Sequence, residues 1–188
     1  MQEIRDFIKR NSINSAIDAI RAVSDIPWGE GRTIQEVLDT KGVGTCTGKH
    51  LVLQGCLEEL GIEYRPVVCT FKWEDQGINL SDNLLNKLKV VPWEHGHNFV
   101  QIKNSKDEWI DVDITWDPLL KSYGFKTLPE DWDGQTSFLA VRTIKRWDGI
   151  DIKQKKKELI DNLSSEQKEA REKFLETFIK WIGSIRHS

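Results

Sequence analysis

No apolar run in this chain approaches the roughly 18 residues that a bilayer-spanning helix requires. Its 27 Lys and Arg stand against 30 Asp and Glu, for a net charge of -3. The first lack points away from a membrane protein, and the second leaves no general attraction to phosphate backbones or acidic lipid surfaces. Cysteine is scarce too: Cys46, Cys56 and Cys69 are an odd number, so at least one thiol has no partner within the chain. A chain of 188 residues has the length to bury a continuous core without disulfide staples. Residues 1–6, MQEIRD, have neither the basic flank nor the apolar run of a secretory leader, so the expected setting is cytoplasmic and reducing. Repeats and low-complexity tracts are missing as well. With 38% hydrophobic and 30% charged residues, the composition is that of an ordinary globular protein.

What is abundant is tryptophan, eight residues in all. Trp28, Trp73, Trp93, Trp109, Trp116 and Trp132 all fall in or near the region that holds the cysteines and histidines. They read either as core filling or as the aromatic walls of a cleft. The apolar spacing predicts helices over residues 2–23, broken and capped near Asn11 or Ser12, and a short helix after Thr33. After the Lys41-Gly42-Val43-Gly44 break a longer helix is expected from Thr45 to Leu60, stopped by Gly61. Strands are expected over residues 64–73, 97–103, 109–115 and 137–144, with hairpin turn chemistry at 104–107. Residues 76–93 form a longer connection with a possible short helix, suited to wall or cover a site. Beyond Asp151 the chain becomes rich in Lys and Glu with amphipathic spacing, which predicts a helical extension over 151–188 on a main domain of residues 1–150.

Cys46 follows a Gly-rich break and opens a helix. Orphan amides and the helix dipole there favour a thiolate, the form in which a thiol is a strong nucleophile. Cys56, within the helix's apolar stripe, and Cys69, within a strand, read as core. His97 and Asp113 lie on the two arms of the predicted hairpin. A carboxylate there would hold one imidazole nitrogen while the other faces the sulfur. Asp111, two residues before Asp113, is a second candidate for that carboxylate.

Gly44-Thr45-Cys46 entering an apolar helix that ends Leu60-Gly61-Ile62, then Tyr64-Arg65-Pro66-Val67, resembles the nucleophile helix and following strand of the transglutaminase-like superfamily. His97-Asn98-Phe99-Val100, followed by Trp109-Ile110-Asp111-Val112-Asp113-Ile114-Thr115, resembles that family's His strand and its W-x-x-x-D-x-T strand, in the same Cys, His, Asp order. The resemblance covers about residues 25–118. It implies an α+β, papain-like core in which the helix bearing the thiol packs on an antiparallel sheet bearing base and acid. It also implies that Cys46 is the nucleophile, His97 the base and Asp113 its partner, acting on a peptide or protein amide through a thioester without a cofactor. The Cys46 backbone amide and the Trp28 indole are candidate oxyanion donors.

Other readings compete. Residues 42–49 brush against a phosphate-binding loop, but Val43 and His50 fail its pattern. Cys46 and His50, four apart on one helix face, could in principle join His95 and His97 in a tetrahedral zinc site, the last two sharing a face only if a strand already begins at His95. A non-catalytic peptide-binding module is the third alternative, with the triad-like residues idle.

Overall fold

In the computed structural model, which describes residues 2–186, the chain opens on two helices set by their apolar spacing. α1 (Gln2–Arg10) buries Ile4 and Phe7, and α2 (Ala16–Ser24) buries Ala19, Ile20 and Val23. Ser12 turns the chain between them at a φ of 52°. The cap of α2 is Ser15, further on than Asn11 or Ser12, and its hydroxyl accepts the Asp18 N–H at 3.1 Å. Thr33 does cap the next segment, accepting the Glu36 N–H at 3.2 Å, but the turn that follows is π-helical over Glu36–Thr40.

α3 (Cys46–Glu59) starts at the Thr45 cap, whose hydroxyl accepts the Gly48 N–H at 3.2 Å. It ends where Gly61 takes a φ of 67°, the left-handed step that releases a helix into a strand. Four strands follow: β1 (Tyr64–Phe71), β2 (His95–Lys103), β3 (Trp109–Val112) and β4 (Lys145–Asp148). They form one antiparallel sheet in the order β3-β2-β1-β4. The expected strand at 137–144 is displaced. Only Phe138 makes a bridge there, to Val112, and regular pairing resumes at Lys145 against β1. The displaced stretch still matters, because Phe138 accepts the Asp113 N–H at 3.0 Å and donates its own to Asp111 at 2.8 Å, fixing the backbone where β3 ends.

α4 (Asp82–Leu88) sits in the 76–93 connection and packs against α6 (Ser165–Ile185). α5 (Ile152–Asp161) lies against β1 and β2. A reciprocal cap between Ser164 and Gln167 starts α6. The helices beyond residue 151 are therefore structural members of the core, since Phe174 and Phe178 are wholly buried. The Phe178 ring centre lies 5.0 Å from Trp28, 4.6 Å from Trp73 and 6.3 Å from Trp116. Each such buried aromatic contributes roughly 2–3 kcal/mol of apolar burial. Trp28, Trp73, Trp93, Trp116 and Trp132 are all buried, so core filling is what most of the tryptophans do. Among the described residues no helix is long and apolar enough to cross a membrane.

Candidate active site

The loop that delivers Cys46 is held by backbone contact at close range. Thr45 donates both its N–H and its hydroxyl to the Gly31 carbonyl, at 2.7 and 3.0 Å. Gly44 N–H donates to Pro27 O at 2.9 Å, and Gly29 N–H to Gly44 O at 3.1 Å. The Trp28 turn and the Cys46 loop thus run together as a short parallel bridge. Such proximity excludes side chains: a Cβ on Gly48 would stand 2.3 Å from the Gly31 oxygen, and one on Gly31 2.1 Å from the Val43 oxygen. Cys46 is then the first residue of α3, where the amides of the first turn lack intrahelical acceptors. Its side chain is partly exposed, whereas Cys56 and Cys69 are buried.

Across from it, β2 carries His97, and Asp113 is the first residue after β3. Asp113 lies one step beyond the last β2–β3 ladder pair, Val100 with Val112, and reaches diagonally to His97. His97 Nε2 donates to Asp113 Oδ2 at 2.7 Å, with both side chains buried. That bond leaves Nδ1 as the His97 nitrogen available to the sulfur, and each of the two groups favours the charged form of the other. Asp113 is pinned by three further donors: Thr115 hydroxyl to Oδ1 at 2.7 Å, Thr115 N–H to Oδ1 at 3.3 Å and Ala140 N–H to Oδ2 at 3.2 Å. Asp111 is engaged elsewhere, taking both terminal nitrogens of Arg146 at 3.0 Å and the Gln101 amide at 3.0 Å.

The electrostatics follow from these neighbours. Burial alone would raise the pKa of the Cys46 thiol. The Lys156 ammonium, and after it His97, outweigh that cost and bring it down to about 6. Burial opposes charge on His97 as well, but Asp113 and the thiolate lift it to about 9. Asp113 is held near 2 despite its burial by the charge and hydrogen bond of His97. Between pH 6 and 9 the site is therefore a thiolate facing an imidazolium backed by a carboxylate. The other two thiols move the opposite way: desolvation pushes Cys56 up to about 12, and Cys69 is raised too, by burial above all.

Sequence reasoning missed Lys156 and gave His50 another role, that of a candidate zinc ligand. Lys156, on α5, places Nζ 3.5 Å from Cys46 Sγ, 2.8 Å from Thr47 Oγ1 and 3.0 Å from Asn98 Oδ1. It sits in a Lys-rich run whose members look alike in sequence, and only the packing of α5 on the sheet distinguishes it. His50, wholly buried one turn below Cys46, donates from Nδ1 to Cys46 O at 2.7 Å and accepts the Ile114 N–H at Nε2 at 3.3 Å. It buttons the nucleophile's helix to the backbone beside Asp113. Desolvation drives its pKa to about 4, so it stays neutral.

The zinc arrangement is not assembled. β2 does begin at His95, but both nitrogens of His50 are committed to backbone groups. Among the described residues no group of three or more His, Cys, Asp or Glu is disposed to hold a metal ion. Cys46 opens instead into a cleft of about 270 Å³ that Trp28, Arg32, His95, Lys156 and Arg171 line. Its wall comes from α5 and α6 and not from residues 76–93, which pack on the far side of α6. Trp28 is thus both a core residue and a cleft residue, whereas Asp111 is outside the cleft.

The fold and site define an α+β chain with a Cys46–His97–Asp113 cluster at a helix start. Comparison with family models returns no match, and comparison with curated protein sequences returns none either.

Proposed function

We propose that this chain is a cysteine-dependent hydrolase or acyltransferase of the transglutaminase-like kind, built on a papain-like core and acting on amide or peptide bonds. The observation that carries the reading is the 2.7 Å His97–Asp113 bond behind a thiol at the first position of a helix, the only one of the three thiols whose pKa is lowered among the described residues.

The chemistry runs from those groups. The Cys46 thiolate attacks the amide carbonyl carbon, and the oxyanion that forms is met by the free amide at the start of α3 and by the Trp28 indole. His97, as imidazolium, gives its proton to the departing amine, and a thioester on Cys46 remains. Neutral His97 then takes a proton from water, whose oxygen attacks the thioester. Collapse expels the Cys46 thiolate, releases the carboxylic acid and restores the ion pair. Asp113 keeps the ring in the orientation that points Nδ1 at the sulfur and stabilises its charged form. Hydrolysis is preferred over cross-linking, because the cleft of about 270 Å³ over Cys46 offers little room for two protein substrates.

The test is iodoacetamide labelling of each cysteine across pH, read by mass spectrometry, for the wild type and for His97→Ala. Selective labelling of Cys46 with a midpoint near 6 that moves in the variant is the expected result. Cys46 reacting no faster than Cys56 or Cys69 would leave a peptide-binding module as the better reading. Amine incorporation outpacing hydrolysis in a turnover assay would reverse the preference for water.

A further inference from the structure

The cleft over Cys46 is strongly one-sided in charge. Arg32 approaches from the loop that the nucleophile's cap is tied to, Lys156 from α5 and Arg171 from α6, and among the described residues no carboxylate lines it. Lys156 is spoken for, because its ammonium already serves the thiol, Thr47 and Asn98. The two guanidinium groups are not: among the described residues neither is ion-paired or hydrogen-bonded through its side chain. That is costly for Arg171, which is partly buried on α6. Burial and the neighbouring charge of Arg32 both work against its charged form, and of nearby groups only Glu172 and the Cys46 thiolate favour it. Two fork-shaped donors line one cleft without partners, Arg171 half-buried and Arg32 exposed at its edge, and an oxyanion bound there would pair with both and relieve the repulsion between them. The remaining wall is apolar, Ile160, Leu175 and Ile179. A volume of about 270 Å³ suits a small group beside the thiol more than a wide protein surface.

We propose that the acyl donor of this site carries an oxyanionic group close to its reactive carbonyl, and that Arg32 and Arg171 bind that group while the carbonyl carbon meets Cys46. This rests on the thiol acyl-transfer reading above and adds a substrate class to it. The same two arginines then set specificity: neutral acyl donors leave both guanidinium groups unpaired, and cationic ones add repulsion.

Alkylation by two small probes of opposite character separates this proposal from the reading it rests on. Iodoacetate and iodoacetamide deliver nearly the same carbon to the sulfur, but only the first is an anion. Their rate ratio at Cys46, divided by the ratio at a small free thiol in the same buffer, cancels the nucleophilicity of the thiolate. The expected normalised ratio is about tenfold or more in favour of iodoacetate at low ionic strength, shrinking as salt is added. In Arg171→Gln and Arg32→Gln, made separately, the ratio falls toward the free-thiol value. The iodoacetamide rate in each variant reports whether the site is still folded. Protection of Cys46 from iodoacetamide by succinate or by inorganic phosphate tells whether the anion is a carboxylate or a phosphate. A fast, low-pH iodoacetamide reaction with a normalised ratio near one and no protection by either anion overturns the anionic donor and leaves the thiol enzyme standing. Slow reaction with both reagents overturns the two together.

Discussion

At the scale of single residues, the site turns on which cation holds the thiolate. Lys156 is the largest single influence opposing burial at Cys46 and His97 acts beside it, so a Lys156→Met exchange, which keeps the side-chain length and removes the charge, raises the labelling midpoint of Cys46 from about 6. A midpoint unmoved in that variant would mean that His97 alone activates the thiol. The two titrations also bound the activity. The proposed reaction needs Cys46 ionised and His97 protonated, so its kcat/KM against pH is expected to rise through about 6 and fall through about 9. Asp113→Asn keeps the shape but replaces the charge that sustains the imidazolium. The loss of kcat/KM is on the order of 10²–10⁴, with the alkaline limb moved to lower pH. A variant with unchanged rate would assign Asp113 a purely structural part. The nearness of Cys46, His97 and Asp113 was legible from a helix start, a hairpin and three motifs in one order, although β2 begins two residues before His97 and Asp113 falls one residue beyond β3. Lys156 was not, since 109 residues separate it from Thr47 and nothing local marks it among its neighbours in the run.

At the scale of elements, the α+β class, the helix from Cys46 and the β2–β3 hairpin follow from periodicity and turn residues. What periodicity could not supply was the use made of α5 and α6. Their amphipathic pattern reads as an appended helical pair, yet the stripe of Phe174, Phe178 and Ile182 closes the aromatic core over Trp28, Trp73 and Trp116. Arg186, at the end of α6, makes the same point with charge: its guanidinium meets Asp117 Oδ1 at 3.1 Å, and Asp117 in turn accepts the Trp28 N–H at 2.8 Å. Removing residues 151–188 therefore strips the core instead of trimming an appendage. The truncated chain should lose its near-ultraviolet circular dichroism and its cooperative urea transition. A truncated chain that unfolds cooperatively would show that residues 1–150 hold a sufficient core without α5 and α6. Within the intact chain, Phe178→Ala should lower stability by roughly 3–5 kcal/mol, because the rings around the vacated site are too rigid to collapse into it. A Gly48→Ala change acts on the nucleophile loop. Its Cβ meets the Gly31 oxygen at 2.3 Å, so the loop must shift, at about 1–3 kcal/mol and with slower labelling of Cys46.

At the scale of the whole molecule, the buried titratable groups make folding depend on pH in a directed way. His50 is wholly buried and neutral, with a folded pKa near 4 against about 6.5 for the free side chain. The folded state therefore binds fewer protons than the unfolded chain between those values, and stability falls as pH drops through that interval. His95, also held well below its ordinary range by burial, pulls the same way. Asp113 adds a second loss: its folded pKa near 2 lies below the ordinary carboxylate value, so its contribution is present above about 4 and disappears as pH falls toward 2. His97 runs opposite. Its pKa is raised to about 9, so its contribution is complete below about 6.5 and is lost as pH rises through 9. Cys46 offsets that loss, because a thiol lowered to about 6 leaves the folded state with fewer protons than the unfolded chain up to the ordinary thiol value, and the wholly buried Lys49, lowered to about 7 by burial, acts the same way above 7. The directed loss is therefore on the acidic side, and urea midpoints measured from pH 3 to 7 should fall most steeply between 6.5 and 4. His50→Gln, which retains a donor and an acceptor without the imidazole titration, should flatten that acidic limb while lowering the stability at neutral pH. An acidic limb unchanged in the variant would shift the cause to the remaining carboxylates and remove His50 from the account.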